Sequence, residues 1–366
     1  MTDVCVVGGG PAGLATAIAI RRHGGSVTVI DCSTPPINKP CGEGLMPDSV
    51  TALRDLGVAL PANIGFNLRG IRFADKRSSV CAQFPNGVGI GVRRTVLHAL
   101  LVQQAQDVGV QMIWNAKGVR LRDDGVLIGR DLCRADFVVG ADGQNSQIRR
   151  QAGLGRVAKE RRRYGFRRHY RIALWSEYME LHWGPRGQAY VTPIAEDEIC
   201  LVMISRHKHL RLEDALLDFP ELNRRLTSGM AISSEMGSLS ISRRLERVCR
   251  DRVALVGDAS GSVDAITGEG MSLSFKQAAA LASAFCTGKL NDYQKAHERL
   301  SSRPLAMESL MLALERRQGF QRRVLASLAS HEGVFAALLS VHVGESSFLD
   351  LCSWRLVPFG LKFLAA

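Results

Sequence analysis

Two glycine-rich segments, each placed directly after a short apolar run, lie near opposite ends of this sequence and constrain its fold. In the first, residues 4–7 are apolar and glycines follow at positions 8, 10 and 13. This spacing is the fingerprint of a dinucleotide-binding unit: Gly8 permits the tight turn, Gly10 lets the backbone approach a pyrophosphate, and Gly13 keeps helix and strand close. The sequence therefore predicts that the chain begins with a parallel α/β sheet.

The residues after the fingerprint complete a strand–helix–strand unit. A helix rich in small residues is predicted from Pro11 to about His23, and an apolar strand runs from Val27 to Asp31. Pro11 and Ala12 open the helix, whose free N–H groups favour a phosphate. Asp31 ends the second strand, where it is placed to accept hydrogen bonds from an adenosine ribose.

The second segment begins with a strand that is apolar at every position, Val253–Val256, as expected of a strand covered on both faces. Asp258 follows directly. Gly268, Gly270 and Met271 then lead into an alanine-rich helix predicted for residues 272–285. The N-terminal dipole of that helix would stabilise negative charge close to its first turn.

Three further motifs lie between these segments. Residues 38–47 read Asn-Lys-Pro-Cys-Gly-Glu-Gly-Leu-Met-Pro, which predicts a shaped loop rather than a regular element. A helix opens with Arg94-Thr-Val-Leu97, and a strand ends in Gly140-Ala-Asp-Gly143 with Arg149 following.

In this order the motifs resemble the superfamily of FAD-dependent, aromatic hydroxylase-like monooxygenases and geranylgeranyl reductases. The resemblance implies FAD as the cofactor and NADH or NADPH as the electron donor. It implies FAD contacts at the following residues: Gly8, Gly10, Pro11, Ala12, Gly13, Asp31, Cys41, Gly42, Arg94, Val119, Asp142, Asp258, Gly268, Gly270 and Met271.

Several of these positions have particular roles by resemblance. Arg94, rather than Arg93, would meet the FAD diphosphate, for which a guanidinium offers several fixed donors. The Val119 backbone would lie against adenine, and Asp258 would bind the ribityl chain. Asp142 contacts FAD in the related motif, although in isolation it would simply cap the next helix.

The predicted fold class is α/β, with a Rossmann-like FAD-binding domain of the glutathione-reductase/hydroxylase type, an inserted antiparallel-sheet substrate domain and a helical C-terminus. Residues 1–154 and 242–290 are assigned to the FAD-binding domain, with a small sheet inserted at about 65–92. Residues 155–241 form the predicted substrate domain, and residues 291–366 the C-terminal helical region.

The substrate site is expected where the inserted sheet covers the flavin. Met46, Tyr190 and Pro193 are predicted to line this pocket, and Cys41 and His169 are candidate catalytic residues. Cys41 would be either a reactive thiol or a small buried side chain, and His169 either catalytic or structural. No acid/base pair is needed where a flavin carries the chemistry.

Three functions remain open on these motifs. In the first, a flavin hydroperoxide oxygenates a hydrophobic or anionic small organic molecule. In the second, reduced FAD reduces a carbon–carbon double bond, as in geranylgeranyl reductases; their Tyr-x-Trp-x-Phe-Pro motif is replaced here by Tyr190-Val-Thr-Pro193. The third is flavin binding without turnover. A halogenase is disfavoured because a Trp-x-Trp-x-Ile-Pro motif is absent from the sequence.

Composition limits the partners and the compartment. The chain has 366 residues, nine cysteines without zinc spacing and no recognisable N-terminal signal, so we expect a cytoplasmic protein with reduced thiols and no metal site. The formal net charge is +12, with ten Arg or Lys residues against one acid at positions 149–171. That run is interpreted as a solvated basic face or as a site for an anion or an anionic membrane surface. Nucleic acid is not expected.

Helical patterns fill the C-terminal region, at residues 291–303 and 305–328 and in an apolar piece at 333–364. No eighteen-residue uncharged span occurs in the sequence, so we expect no transmembrane helix. The apolar piece would pack back onto the protein, form a dimer surface, or lie at a membrane interface where a lipid-like substrate enters. Oligomeric state is left open.

Overall fold

The computed structural model describes residues 3–351 of the chain. The strands are β1 (Asp3–Val7), β2 (Ser26–Ile30), β3 (Gly44–Leu45), β4 (Phe66–Leu68), β5 (Gly70–Ala74), β6 (Ser79–Gln83), β7 (Gly89–Gly91), β8 (Gln111–Ile113), β9 (Val119–Arg122), β10 (Gly125–Ile128), β11 (Asp131–Arg134), β12 (Phe137–Gly140), β13 (Val157–Arg171), β14 (Tyr178–Trp183), β15 (Gly187–Ala195), β16 (Glu198–Ser205), β17 (Met230–Ala231), β18 (Met236–Leu245), β19 (Cys249–Arg250) and β20 (Val253–Leu255). The helices are α1 (Pro11–Arg22), α2 (Pro47–Asp55), α3 (Arg94–Asp107), α4 (Gln147–Gln151), α5 (Leu212–Leu216), α6 (Pro220–Leu226), α7 (Gly270–Cys286), α8 (Leu290–Arg316), α9 (Gln318–Ala329), α10 (Glu332–Val343) and α11 (Phe348–Leu351).

A Rossmann-like sheet with the strand order β19-β20-β12-β1-β2-β8 forms the first layer. Its strands pair in parallel except for β19, which runs antiparallel to β20. Strands β1 and β20 are buried at almost every position, because α1, α3 and α7 cover the sheet. The two glycine-rich segments therefore leave the same sheet at the carboxyl ends of nearby strands, where ligands bind in such folds.

An eight-stranded sheet forms the second layer, in the order β17-β13-β16-β15-β14-β5-β6, with β18 paired to β13. Most neighbours run antiparallel, but β14 pairs in parallel with β5. Within residues 65–92, where a small inserted sheet is predicted, β4 and β7 join β3 in a three-stranded sheet, whereas β5 and β6 extend the large sheet. The predicted α/β fold class, with an additional antiparallel sheet and C-terminal helices, is confirmed.

The helices α9 and α10 pack against β6 of the second layer, whereas α8 packs on α7 of the first layer and contacts the second layer through Met311, Leu312 and Leu314. The helix α8 runs without a break through Pro304, so the predicted boundary near residue 304 is wrong. Among the described helices no single one is long and apolar enough to span a membrane; α9 and α10 pass that test only together, and they are bent by 105°. The end of the predicted apolar piece at 333–364 lies outside the described residues.

Candidate functional site

The fingerprint loop is shaped by close backbone contacts. A Cβ atom at Gly8 would lie 2.2 Å from the Ala141 carbonyl oxygen, and one at Gly13 would lie 1.8 Å from the Gly8 carbonyl oxygen. No atom lies within 4 Å of the corresponding position at Gly10. Contacts within the protein therefore require glycine at positions 8 and 13. At Gly10 the open space is available to a ligand.

Asp31 and His98 hold this loop in place. The Asp31 carboxylate accepts hydrogen bonds from the Gly9 and Ser33 amides, both at 2.7 Å. Buried His98 donates from Nε2 to the Gly9 carbonyl oxygen at 2.8 Å. Burial lowers the pKa of His98. Sequence reasoning missed this histidine, although it follows Arg94 by one helical turn, which places both on one face of α3.

Arginines 93 and 94 point to different places. Arg94 begins α3 and lines the cavity described below, and its Nε lacks a partner among the described residues. Arg93 instead forms an ion pair with Glu198 at 2.7 Å and contacts His169. The Arg94 side chain is therefore the one available to a diphosphate.

The second glycine-rich segment meets the first in the same cavity. Asp258, Gly268, Gly270 and Met271 all line it, as do Gly10, Pro11 and Ala12. Asp258 is exposed where it lines the cavity, and the protein packed around its carboxyl group raises the pKa of this group, against the opposing charges of Arg94 and Lys39. The helix α7 starts here without a side-chain cap, so its first N–H groups remain free.

Five of the predicted cofactor contacts lie outside the cavity lining: Gly8, Gly13, Asp31, Val119 and Asp142. The Asp142 carboxylate accepts hydrogen bonds from the Gln147 and Ile148 amides at 2.6 and 3.2 Å, so it caps α4, while its neighbours Ala141 and Gly143 line the cavity. Val119 begins β9 in the three-stranded sheet β11-β10-β9 and does not line the cavity.

The loop around Cys41 contains a buried acid. Cys41, Gly42, Glu43 and Gly44 line the cavity. The Glu43 carboxylate accepts hydrogen bonds from Arg167 at 2.9 Å, from the Arg94 amide at 3.1 Å and from His169 at 2.7 Å. Burial alone would raise the pKa of Glu43, but the hydrogen bond from His169 and the neighbouring donors outweigh it and lower the pKa.

His169 is buried behind Glu43 and does not line the cavity. Its Nδ1 lies 3.2 Å from Arg93 Nη1, which can only donate, so Nε2 carries the proton that Glu43 accepts. The imidazole therefore supports the Cys41 loop from behind. Cys200 lies nearby, and its thiol donates to the Cys41 carbonyl oxygen at 3.5 Å.

The basic run is partly an interior feature. Arg163 is buried in ion pairs with Asp264 and Glu315 at 3.0 and 3.1 Å, and Arg167 is buried against Glu43. Buried Arg149 donates to the backbone beside Asp258. The interpretation of the run as a solvated face is therefore wrong for these three arginines, whose charge stabilises the acids that surround the cavity.

A cavity of about 630 Å³ continues from the glycine-rich segments into an apolar region. The apolar walls come from β5, β14 and the helices α8, α9 and α10: Ile71, Phe73, Met179, Leu181, Met307, Leu310, Met311, Leu314, Val324, Leu328, Val334, Phe335, Leu338 and Leu339. These residues were not predicted, because they come from distant segments and share no local pattern.

The predicted pocket residues divide between the cavity and its support. Tyr190 lines the cavity. Met46 and Pro193 do not line it. Met46 packs in a hydrophobic cluster, and its Cε would lie 3.3 Å from a Cβ atom added at Gly268. The Pro193 carbonyl oxygen lies against Gly91.

The residues present fit FAD. Open space at Gly10, Gly42 and Gly270, none of which would place a Cβ within 4 Å of another atom, leaves the backbone accessible along the polar part of the cavity. Free helix N-termini at α1 and α7, the unpartnered Arg94 Nε and the Asp258 carboxyl supply groups for a diphosphate and a polyol.

Comparison with known proteins supports this assignment. Residues 1–170 match the FAD binding domain family. A menaquinone reductase of Mycobacterium tuberculosis is 29% identical over 335 residues, covering 83% of this chain and 78% of that protein. A digeranylgeranylglycerophospholipid reductase of Thermoplasma volcanium is 29% identical over 299 residues, covering 74% of each chain.

Solved structures agree in fold. A flavoprotein/dehydrogenase from Cytophaga hutchinsonii superposes with a TM-score of 0.82 at 17% identity, covering 99% of both chains. A geranylgeranyl bacteriochlorophyll reductase-like protein from Thermoplasma acidophilum gives a TM-score of 0.72 at 21% identity, covering 100% of this chain and 96% of that one.

Fold and site together define an FAD-dependent oxidoreductase. The resemblance predicted from the motifs is confirmed: residues 1–170 match the FAD binding domain family, and similar proteins include a menaquinone reductase and digeranylgeranylglycerophospholipid reductases.

Proposed function

We propose that this enzyme reduces a carbon–carbon double bond in a long-chain, isoprenoid-type lipid, with NADH or NADPH as the electron donor. The observation that carries the proposal is the continuity of the cavity from the glycine-rich segments to the apolar walls of α8, α9 and α10. A small aromatic molecule does not need an apolar extension of the cavity. An isoprenoid chain can bury its whole length in such an extension.

The names of relatives support the same substrate class. They designate reductases of a menaquinone and of a glycerophospholipid with geranylgeranyl chains. Both molecules carry a polyisoprenoid hydrocarbon, which matches the apolar part of the cavity.

Each part of the cavity has a distinct task in such a reaction. Bound FAD supplies the hydride chemistry when it is reduced. The apolar walls hold the hydrocarbon and exclude water, and the Cys41 loop lines the same cavity. Tyr190 and Thr192 have buried hydroxyl groups without a partner among the described residues, so they are available to a polar group of the substrate.

The cavity mouth suits a substrate delivered from a lipid surface. Leu310 and Phe320 line the cavity and are 41% and 39% exposed. Exposed arginines surround this region, at positions 316, 317, 322 and 323. Apolar side chains rimmed by cations favour contact with an anionic membrane.

Oxygenation of an organic substrate is the second candidate. The Gly140–Arg149 motif favours it because it resembles that of flavin hydroxylases, and the Tyr190–Pro193 segment departs from the pocket motif of geranylgeranyl reductases. The two reactions differ in what receives the electrons.

An anaerobic assay separates them. FAD-loaded enzyme is mixed with NADPH or NADH and a geranylgeranyl lipid in anionic vesicles, while flavin absorbance is followed and the product mass is measured. We expect flavin reoxidation without oxygen and a product that has gained two hydrogens. Reoxidation that requires oxygen, with gain of one oxygen atom, would establish the second candidate instead.

A matched pair of variants tests the hydrocarbon path. Leu310→Trp narrows the mouth without filling the core, so the KM for the lipid should rise at least several-fold while NADPH still reduces the flavin at the wild-type rate. Leu217→Trp, at a side chain 68% exposed and outside the cavity lining, should leave both unchanged.

A further inference from the structure

Glu269, His342 and Arg303 come together beside the start of α7. Glu269 immediately precedes this helix, between the cavity-lining Gly268 and Gly270. Its Oε2 lies 3.6 Å from His342 Nδ1, and its Oε1 lies 3.1 Å from Arg303 Nη2. His342 itself lines the cavity. The cluster thus touches the surface that receives FAD.

This cluster is buried but incompletely bonded. Glu269 is 2% exposed and His342 is 8% exposed. Both Glu269 oxygens and His342 Nδ1 lack an aligned hydrogen bond among the described residues, because the Arg303 guanidinium is directed to the carbonyl oxygens of Val341 and His342 at the end of α10. A buried carboxyl that faces an unpartnered imidazole nitrogen is a place for one proton.

The surrounding charges set where that proton resides. Burial raises the pKa of Glu269 to about 8; Asp48 adds to the rise, and Arg303 and Lys276 oppose it. Burial lowers the pKa of His342 to about 4, Arg303 acts in the same direction, and Asp48 and a hydrogen bond with the Thr267 backbone oppose it. At neutral pH the carboxyl keeps its proton and the imidazole is neutral.

A charge change in the cavity must affect this proton. The cluster is separated from the cavity by the backbone of residues 268–270 on one side, and the His342 ring reaches the cavity on the other. In such a low-dielectric setting, negative charge gained by a cavity ligand favours protonation of a neighbouring acid.

We propose that Glu269 and His342 form a redox-linked proton site, which binds a proton when the FAD in the adjoining cavity gains negative charge on reduction. The proton balances that charge at the start of α7, and solvent supplies it. Above about pH 8 Glu269 is ionised while FAD is oxidised, so two-electron reduction brings one proton to the cofactor and a second to the Glu269–His342 pair. Below about pH 8 Glu269 already holds its proton, and the site takes up one. The proposal depends on FAD binding, and it holds whether the electrons then pass to a double bond or to oxygen.

The midpoint potential of the bound FAD tests this directly, without turnover. One proton per two electrons lowers the potential by about 30 mV per pH unit, and each additional proton adds the same amount. Below pH 8 the wild-type slope should be that of one proton. Just above pH 8 the slope of the midpoint potential against pH should steepen towards the value for two protons. The reason is that Glu269 is then ionised while FAD is oxidised and regains its proton when FAD is reduced.

Glu269→Gln should keep the single-proton slope throughout, and exposed Glu246→Gln should behave as wild type. His342→Asn should shift the pH at which the slope changes, because it replaces the imidazole that faces the Glu269 carboxyl group. A wild-type slope without a break near pH 8, or a break that persists in Glu269→Gln, would overturn the proposal.

Infrared spectroscopy keeps the test independent of cofactor retention. The wild-type minus Glu269→Gln spectrum should contain the carbonyl band of a protonated carboxyl at pH 7, and this band should disappear as the pH rises through about 8. A carboxylate band already present in that difference at pH 7 would contradict the assignment.

Discussion

At the scale of single residues, Glu43 has a backbone conformation that side chains rarely adopt. Its φ is +59°, in the left-handed region, which costs a residue with a Cβ atom roughly 1–2 kcal/mol. The carboxylate compensates by joining Arg167 and His169, both buried, beneath the Cys41 loop.

A double-mutant cycle should reveal that compensation. Glu43→Gln leaves the buried Arg167 cation without its anion and should lower the free energy of unfolding by about 3 kcal/mol, since a buried ion pair that loses one partner is costly. Arg167→Met should cost a similar amount, and the double variant should cost clearly less than the sum, as measured by urea denaturation. The exposed pair Glu221/Arg224 serves as control and should show no coupling. Additive effects at Glu43 and Arg167 would contradict this account.

The sequence contains part of the information needed to find this pair. Arg163, Arg167 and His169 occupy alternate positions of β13 and so share one face, which the period of a strand predicts once the strand is recognised. Their partners cannot be predicted in this way, because Glu43 and Asp264 lie about a hundred residues away in the chain, and charge counting alone gives no inward direction.

At the scale of elements, the C-terminal helices show where local signals fail. Proline usually interrupts a helix, yet α8 continues through Pro304 because Tyr293 and His297 before it and Met307 and Met311 after it are all buried on packed surfaces. Tertiary packing therefore outweighs the lost backbone hydrogen bond. The nucleotide motifs were predictable for the opposite reason, since backbone geometry demands each glycine locally.

The end of α10 offers a matched pair of glycine substitutions. Gly344 and Gly288 both follow helices with positive φ, at +85° and +66°. A Cβ at Gly344 would lie 2.6 Å from Arg303 Nη1, whereas at Gly288 no atom lies within 4 Å. Gly288→Ala should lower the free energy of unfolding by about 1 kcal/mol, from backbone strain alone. Gly344→Ala should cost more in the same urea titration, because Arg303 must leave its two carbonyl partners. Equal losses would show that this guanidinium moves freely.

At the scale of the whole molecule, stability should depend on pH through buried histidines. His297 on α8 donates from Nε2 to Ser260 at 3.0 Å, beside the second glycine-rich segment, and burial lowers its pKa from 6.5 to about 4. Between these values the unfolded chain binds a proton that the folded protein does not. The stabilisation is therefore complete above pH 6.5 and is lost as the pH falls towards 4, by about 1.4 kcal/mol per pH unit.

Substitution of His297 should make the free energy of unfolding depend less on pH. In urea titrations with saturating FAD between pH 4.5 and 6.5, His297→Gln should reduce the slope of stability against pH by about that amount per unit. His209→Gln, at an exposed position, should leave the slope unchanged. An unaltered slope in His297→Gln would mean that His297 is already protonated in the folded protein.

The parallel pairing of β5 with β14 also has a consequence for how this protein is made. The ribosome must synthesise roughly a hundred further residues after β5 before its partner strand exists, which takes about 5–20 seconds. Until then β5 and β6 form a two-stranded hairpin with an open edge, which is marginally stable and prone to join other strands. A fragment that ends at residue 170, where the FAD binding domain family match ends, would keep that edge open permanently. Attempts to express the nucleotide-binding half alone should therefore include β14.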